Sequence, residues 1–315
     1  MIGKFVCFNG NLINIEEAKI SIDNIEFSYG FGVYENIRLR NNKVYFLKEH
    51  LERLLHSAQL IGLEHNFNND QIVKWLNGLI VENKVESANV KMLLIGGKKI
   101  DFVNRFLPLD KGRSGGVESL STAPALRVRP SLSKEGNRLQ GNLYIMQLAP
   151  IYPEDKIYRD GVKVTSYKYE RFLPGAKTLN MLPSYLAYAK AKEVGAYDTL
   201  FIDKRGNALE GTRSNLFVIK KKRIYTTPVK KVLDGVTRRT VIDCAKQNGY
   251  KVIERNIKLN SILKYDGAFL TNTSGKIVPV REVESYKVHK VIKFEKVCEE
   301  IRKLIKLYNE YLDKV

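Results

Sequence analysis

Between Val162 and Val280 the chain breaks into short runs rich in β-branched and aromatic residues: "VKVTSYKY", "DTLFI", "NALEG", "NLFVI", "RIYTTP", "YKVIERNI", "GAFLTNT" and "KIVPV". Turn residues separate them, as in "DKRG" between "DTLFI" and "NALEG". That spacing predicts strands joined largely by hairpins. Two helical stretches interrupt them: "PSYLAYAKAKEVG", with Pro183 in its first turn and Gly195 at its stop, and "GVTRRTVIDCAKQNG". A long helix is predicted from about His289 to Asp313, and a short one near "LNSILKY". Many short strands with few helices point to an α+β architecture.

The first part of the chain has a different rhythm. "KFVCFNGNLI" and "YGFGVYENIRLRNNKVYFL" read as strands, the second turning at "RNNK". "KEHLERLLHSAQLIGL" is amphipathic, with Leu51, Leu54, Leu55, Ala58 and Ile61 on one face. "NNDQIVKWLNGLIVENKV" is a second helix, capped by Asn68 or Asn69. "NVKMLLIGG" is a strand. Helices packed on a sheet make residues 1–150 a smaller N-terminal domain, an α/β sandwich. Residues 151–157, with Pro153 and charges, read as a linker. Residues 158–315 form a larger, strand-rich C-terminal domain. Composition shifts over about 101–140, where five Arg stand against two Lys among many Gly, Ser and Pro. That stretch reads as a loop-like insertion.

Composition narrows the function classes. No run of 18 apolar residues occurs, so no membrane span is expected. The N-terminal residues lack an apolar signal core. Cys7, Cys244 and Cys298 fit neither a disulfide framework nor a zinc spacing, and His50, His56, His65 and His289 form no metal-ligand pattern. A cytoplasmic protein without a metal is expected. The net charge of +19 would suit an acidic ligand or nucleic acid. However, the densest run, "KKKR" at 220–223, lies between two strand-like segments and reads as a solvated hairpin turn. A basic nucleic-acid-binding protein is kept only as a remote alternative.

Lys177 stands apart from the other lysines. It follows a Pro-Gly-Ala turn in an apolar stretch just before a helix. Glu210 stands at a hairpin end ahead of an apolar strand. Gly235, Val236 and Thr237 open a helix, where free N–H groups and the helix dipole favour an anion. Thr273 and Ser274 end a strand with hydroxyl donors. Arg53 lies on the first amphipathic helix. Taken singly, each has a bland reading as a surface charge or a cap. Together they are the residue types that pyridoxal phosphate requires: an amine for its aldehyde, a carboxylate for its pyridine nitrogen, and donors with a bidentate cation for its phosphate. Leu233 is placed to pack on the ring.

At this point the sequence resembles the class IV, or fold type IV, pyridoxal-phosphate enzymes. That family includes branched-chain aminotransferases, D-amino acid aminotransferases and aminodeoxychorismate lyases. The resemblance rests on "FNGNLI", "YGFGVYE", "EHLERL", "GAKTLNML", "LEGTRSNLF", "LDGVTRR" and "TNTSGKIVPV", in the family's order, and covers nearly all of the chain outside 101–140. It implies that Lys177 bonds to the cofactor and moves the substrate proton, and that Glu210 pairs with the pyridine nitrogen. Arg53, Val236, Thr237 and Thr273 would hold the phosphate, with Ser274 as an extra donor. Tyr34 would line the substrate side. The family is generally homodimeric.

Departures from the subgroups bear on substrate. Leu182 stands where branched-chain enzymes carry a tyrosine five residues after the lysine. Asn89 and Lys91 replace their paired Tyr and Arg. Lys91 is similar to a lysine of the lyases, whereas Asn36 replaces the lyases' threonine. The reading adopted is an aminotransferase acting between an amino acid and a 2-oxo acid, with Tyr34, Asn36 and Lys91 on the substrate side. The alternative is a lyase making 4-aminobenzoate and pyruvate from aminodeoxychorismate.

Overall fold

The computed structural model describes residues 2–97, 140–285 and 291–314. The insertion expected at about 101–140 lies outside the described residues, except for Gln140. The first sheet has six strands in the order β2-β1-β6-β5-β3-β4. They are β1 (Phe5–Phe8), β2 (Asn11–Asn14), β3 (Gly32–Arg40), β4 (Lys43–Val44), β5 (Ala88–Ile95) and β6 (Asn142–Leu148). All neighbours pair antiparallel. Asn9-Gly10 and Asn41-Asn42 make its tight turns, all four residues at positive φ. Consecutive positive φ values give the backbone twist that two-residue hairpins need, and Asn and Gly tolerate them.

Three helices accompany this sheet: a single turn α1 (Ile25–Ser28), α2 (Leu47–Leu60) and α3 (Asn69–Asn83). Asn68 caps α3 in a capping box with Gln71, each side chain bonded to the other's N–H. Alternation along β3 sends Val33, Ile37 and Leu39 into a core with Leu51, Leu54, Ala58, Leu76 and Leu79. Each large apolar side chain buried there contributes roughly 1.5–3 kcal/mol. The opposite face of β3 carries the half-buried Tyr34, Asn36 and Arg38.

The second sheet has ten strands: β7 (Val162–Lys168), β8 (Asp198–Ile202), β9 (Asn207–Gly211), β10 (Asn215–Lys220), β11 (Arg223–Thr226), β12 (Lys251–Glu254), β13 (Ile257–Lys258), β14 (Gly267–Asn272), β15 (Lys276–Ser285) and β16 (Val291–Lys293). An added pairing, Asn215 with Glu210, joins β10 to β9 and closes β10-β14-β15-β7-β8-β9 into a ring. Period-two alternation then separates two cores. Leu216 and Val218 join one cluster with Val164, Leu200, Ala268 and Leu270. Phe217 and Ile219 join another with α6 (Val236–Gln247) and α7 (Glu299–Lys314). Two further helices, α4 (Asp155–Asp160) and α5 (Leu182–Glu193), precede β7 and β8.

The stretch read as a linker runs into α4. The short helix expected near "LNSILKY" forms as a 3-10 helix over Leu259–Lys264. One local expectation is corrected. The last helix begins at Glu299 instead of near His289, because Val291 and Ile292 pair with Glu284 and Val283 of β15. β-Branched residues fit a pleated edge better than a helix start. "KKKR" forms the exposed β10–β11 turn, with Lys221 at φ 52°.

One polar cluster sits inside the apolar face of β3. Glu35 is fully buried between Val33 and Ile37. Arg53 of α2 grips it bidentately, Nε to Oε1 at 2.6 Å and Nη2 to Oε2 at 2.7 Å. His50 Nδ1 lies 2.8 Å from Oε2 and donates to it, since an ionised carboxylate only accepts. Burial alone would raise the Glu35 carboxyl, but Arg53 and His50 outweigh it and hold it well below its ordinary value. Burial lowers His50, against the pull of Glu35, so its imidazole stays neutral in the fold.

These shifts fix the sign of a pH effect. Unfolded histidine takes up a proton near pH 6.5, whereas folded His50 resists it. As pH falls through that value the unfolded state binds the extra proton, and stability drops by at most about 1.4 kcal/mol per pH unit. Glu35 adds a further loss as pH falls below its ordinary range. His50→Asn keeps an N–H donor and cannot titrate. Urea unfolding from pH 7 to 5 should therefore show a flatter decline for His50→Asn than for wild type. Parallel curves would contradict this account.

Candidate active site

The segment carrying Lys177 is sewn to the first sheet by its main chain. Val33 and Thr178 form an antiparallel bridge. Tyr34 N donates to Lys177 O at 3.0 Å and Leu179 N to Gly32 O at 2.9 Å. Lys177 N donates to the hydroxyl of Ser57 on α2 at 3.1 Å. Gly32 is required at this approach. A Cβ there would lie 2.6 Å from Leu179 Cδ1 and 2.7 Å from Leu94 O. Lys177 Nζ is thereby held over the Tyr34 ring, 4.4 Å from its centroid.

It opens into a solvent-connected cavity. The walls come from β3, the lysine segment, the β9–β10 turn, the β14–β15 turn and the start of α6. Of the residues expected from sequence, Tyr34, Arg53, Lys177, Glu210, Leu233, Val236, Thr237 and Thr273 line it. Asn36, Lys91 and Ser274 do not. Asn36 faces Lys91 in the β3–β5 register, two residues along the sheet from Tyr34. Ser274 is one step past Thr273 in its turn.

Glu210 is almost fully buried. Its Oε1 accepts from Arg171 Nε at 2.8 Å, and Oε2 accepts from Leu233 N at 3.2 Å. Burial raises the Glu210 pKa, and the Arg171 charge works against that rise. The same guanidinium donates to Thr212 O at 2.9 Å, tying Glu210 to the turn after it. Sequence reasoning missed Arg171. It lies six residues before Lys177 in a stretch without periodicity, and its partner is 39 residues away in sequence. Leu233 is fixed from both sides, since its O accepts from Asn215 Nδ2 at 2.8 Å.

The end of the cavity nearest α6 is built for an anion. Gly235 caps the helix with no side-chain hydrogen bond to its first N–H groups. A Cβ at Gly235 would collide with Asn215 Oδ1. Arg53, neutralised by Glu35, turns Nη1 toward Asp234 O at 3.1 Å. Thr271 Oγ1, also missed from sequence, is buried on the cavity wall without a hydrogen-bond partner. Behind Thr237 and Thr273 a smaller cavity is lined in part by Arg38 and Lys276. Burial and the neighbouring arginines lower the Lys276 pKa. That crowding of cations makes the local potential positive.

The donor set fits pyridoxal phosphate. The amine of Lys177 suits the aldehyde and the carboxylate of Glu210 suits the ring nitrogen. The bare helix start, Thr237, Thr273 and the orphaned Thr271 hydroxyl suit the phosphate. Among the described residues no group of His, Cys, Asp or Glu is placed to hold a metal ion, and no helix is long and apolar enough to cross a membrane.

Comparison with known proteins agrees. The sequence model of the family described as amino-transferase class IV matches residues 32–108 and 116–283. A Rickettsia typhi protein named "Probable branched-chain-amino-acid aminotransferase" is 30% identical over 285 residues, 90% of this chain and 88% of that one. The D-alanine aminotransferase of Bacillus licheniformis is 28% identical over 89% of this chain and 88% of its own. Among solved structures, the branched-chain aminotransferase of Thermoproteus uzoniensis with norvaline superposes with a TM-score of 0.77 at 23% identity, covering 98% of this chain and 95% of that one. The branched-chain amino acid aminotransferase of Thermobaculum terrenum in its PLP-form gives 0.76 at 22% identity, with 99% and 94% covered. This chain belongs to the class IV aminotransferase family and has its fold type IV, α+β architecture.

Proposed function

We infer that the protein is a pyridoxal-phosphate-dependent aminotransferase that moves an amino group between an amino acid and a 2-oxo acid. The observation that carries this reading is the entry of Lys177 Nζ and the Glu210 carboxylate into one cavity that also contains the uncapped start of α6. When bound, pyridoxal phosphate supplies the electron sink that makes the substrate Cα–H acidic. The chain's residues do the rest. Lys177 would take the proton from Cα and shuttle it between that carbon and the cofactor, its amine held over the Tyr34 ring. Glu210, clamped by Arg171 and Leu233 N, would set its carboxyl group against the ring nitrogen that must stay protonated. Thr237, Thr273, Arg53 and the α6 N–H groups would hold the phosphate and so orient the bound cofactor.

The relatives reported above carry aminotransferase names, some for branched-chain and some for D-alanine substrates. The donor is accordingly sought among small L- and D-amino acids. A suitable donor should shift the absorbance of the bound cofactor, and a 2-oxo acid should restore it. Glu210→Gln should retain cofactor but lower the rate of this half-reaction about a hundredfold or more, roughly 2.7 kcal/mol of transition-state stabilisation. A Glu210→Gln enzyme with wild-type rate would contradict the role given to this carboxylate.

The active enzyme is further read as a homodimer. Tyr29, Phe172, Leu182 and Tyr185 are all more than 60% exposed, an unusual display of large apolar side chains. Gly30 lies against the backbone of Leu179 and Asn180, so the segments around Tyr29 and Leu182 adjoin beside the cavity. Sedimentation should give twice the 36.1 kDa chain mass. Phe172→Asp with Tyr185→Asp should shift the protein toward monomer. A wild-type monomer at micromolar concentration would sink the dimer reading.

A further inference from the structure

We propose that Arg213 binds the α-carboxylate of both the amino acid and the 2-oxo acid. This inference rests on the aminotransferase reading. Every such substrate carries a carboxylate beside its reacting carbon, so the cavity needs a cation for it. The cavity wall holds four cations: Arg53, Arg171, Lys177 and Arg213. Three are committed. Arg53 is bidentate on Glu35, Arg171 is on Glu210 and Thr212 O, and Lys177 is the cofactor amine. Lys91, placed on the substrate side from the sequence, does not line the cavity.

Arg213 differs in its surroundings. Among the described residues no carboxylate pairs with it. Its guanidinium carbon lies over the Tyr188 ring, 4.4 Å from the centroid, and 5.4 Å from that of Tyr197. Nη2 donates to Tyr197 O at 3.4 Å. A cation–π contact consumes no N–H donor, so with one long bond to Tyr197 O the guanidinium keeps donors for a bidentate carboxylate.

The turn that carries Arg213 is rigid. The fully buried Asp198 accepts Thr212 N at 3.1 Å and Thr212 Oγ1 at 2.6 Å on Oδ1, and Ser214 Oγ at 2.7 Å on Oδ2. Both neighbours of Arg213 are therefore pinned, and Glu210 stands three residues before it. An arginine held by its backbone and two rings loses little freedom when it binds.

The test uses the holoenzyme and compares wild type, Arg213→Gln and Arg213→Lys. The half-reaction is followed with the best amino donor, with pyruvate as acceptor, and with the decarboxylated amine of that donor. Arg213→Gln should keep the cofactor absorbance. It should raise the half-saturating concentration of amino acid and of pyruvate at least tenfold, with a smaller change in limiting rate. Arg213→Lys should recover part of the loss, and the slow reaction of the amine should not change. Equal half-saturation in wild type and Arg213→Gln would overturn the proposal. So would an equal penalty on the amine, or loss of cofactor. Wild-type turnover itself tests the aminotransferase reading, so failure of the parent reading shows in wild type and failure of this one shows in the ratio of variant to wild type.

Discussion

The site depends on a few main-chain hydrogen bonds between β3 and the segment around Lys177. The Val33–Thr178 bridge, with the bonds from Tyr34 N and Leu179 N, extends the first sheet by a piece of chain that belongs in sequence to the second. Because Gly32 carries no side chain, the two backbones can approach. Because the buried Ser57 hydroxyl accepts from Lys177 N, the lysine is referenced to α2 as well. The amine is therefore placed by both halves of the molecule. Neither sheet alone would put Lys177 over Tyr34 and in one cavity with Glu210.

Charge in the site is handled by pairing. Burying an arginine or a glutamate costs several kcal/mol unless it is paired and hydrogen-bonded. Glu35 with Arg53, and Glu210 with Arg171, each meet that condition by bidentate or doubly bonded contacts. The result is a cavity in which Arg53 and Arg171 are balanced by buried carboxylates, while Arg213 has no carboxylate partner among the described residues. Its remaining unsatisfied groups, the Thr271 hydroxyl and the first N–H groups of α6, favour an anion.

Much of this is legible in the sequence, for identifiable reasons. The capping box of α3, the Asn-rich turns and the hairpins of the second sheet obey local rules, so local sequence suffices. Lys177, Glu210, Thr237 and Thr273 sit at element ends, where turn chemistry marks them. Arg171 and Thr271 escape because their significance lies in partners brought together only by folding. The start of the last helix is misplaced from sequence because pairing of Val291 and Ile292 with β15 is a long-range interaction that overrides helical periodicity. Asn36 and Lys91 show the reverse case. Their strands can be inferred, but register places them opposite each other and beyond the cavity wall.

The central claim is that the segment stitched to β3 presents one lysine, Lys177, to the cofactor. Borohydride reduction of the holoenzyme, followed by proteolysis and peptide mass spectrometry, tests it directly. The account predicts a reduced cofactor adduct on the peptide containing Lys177. An adduct on a different lysine, or cofactor bound with Lys177 unmodified after reduction, would contradict it.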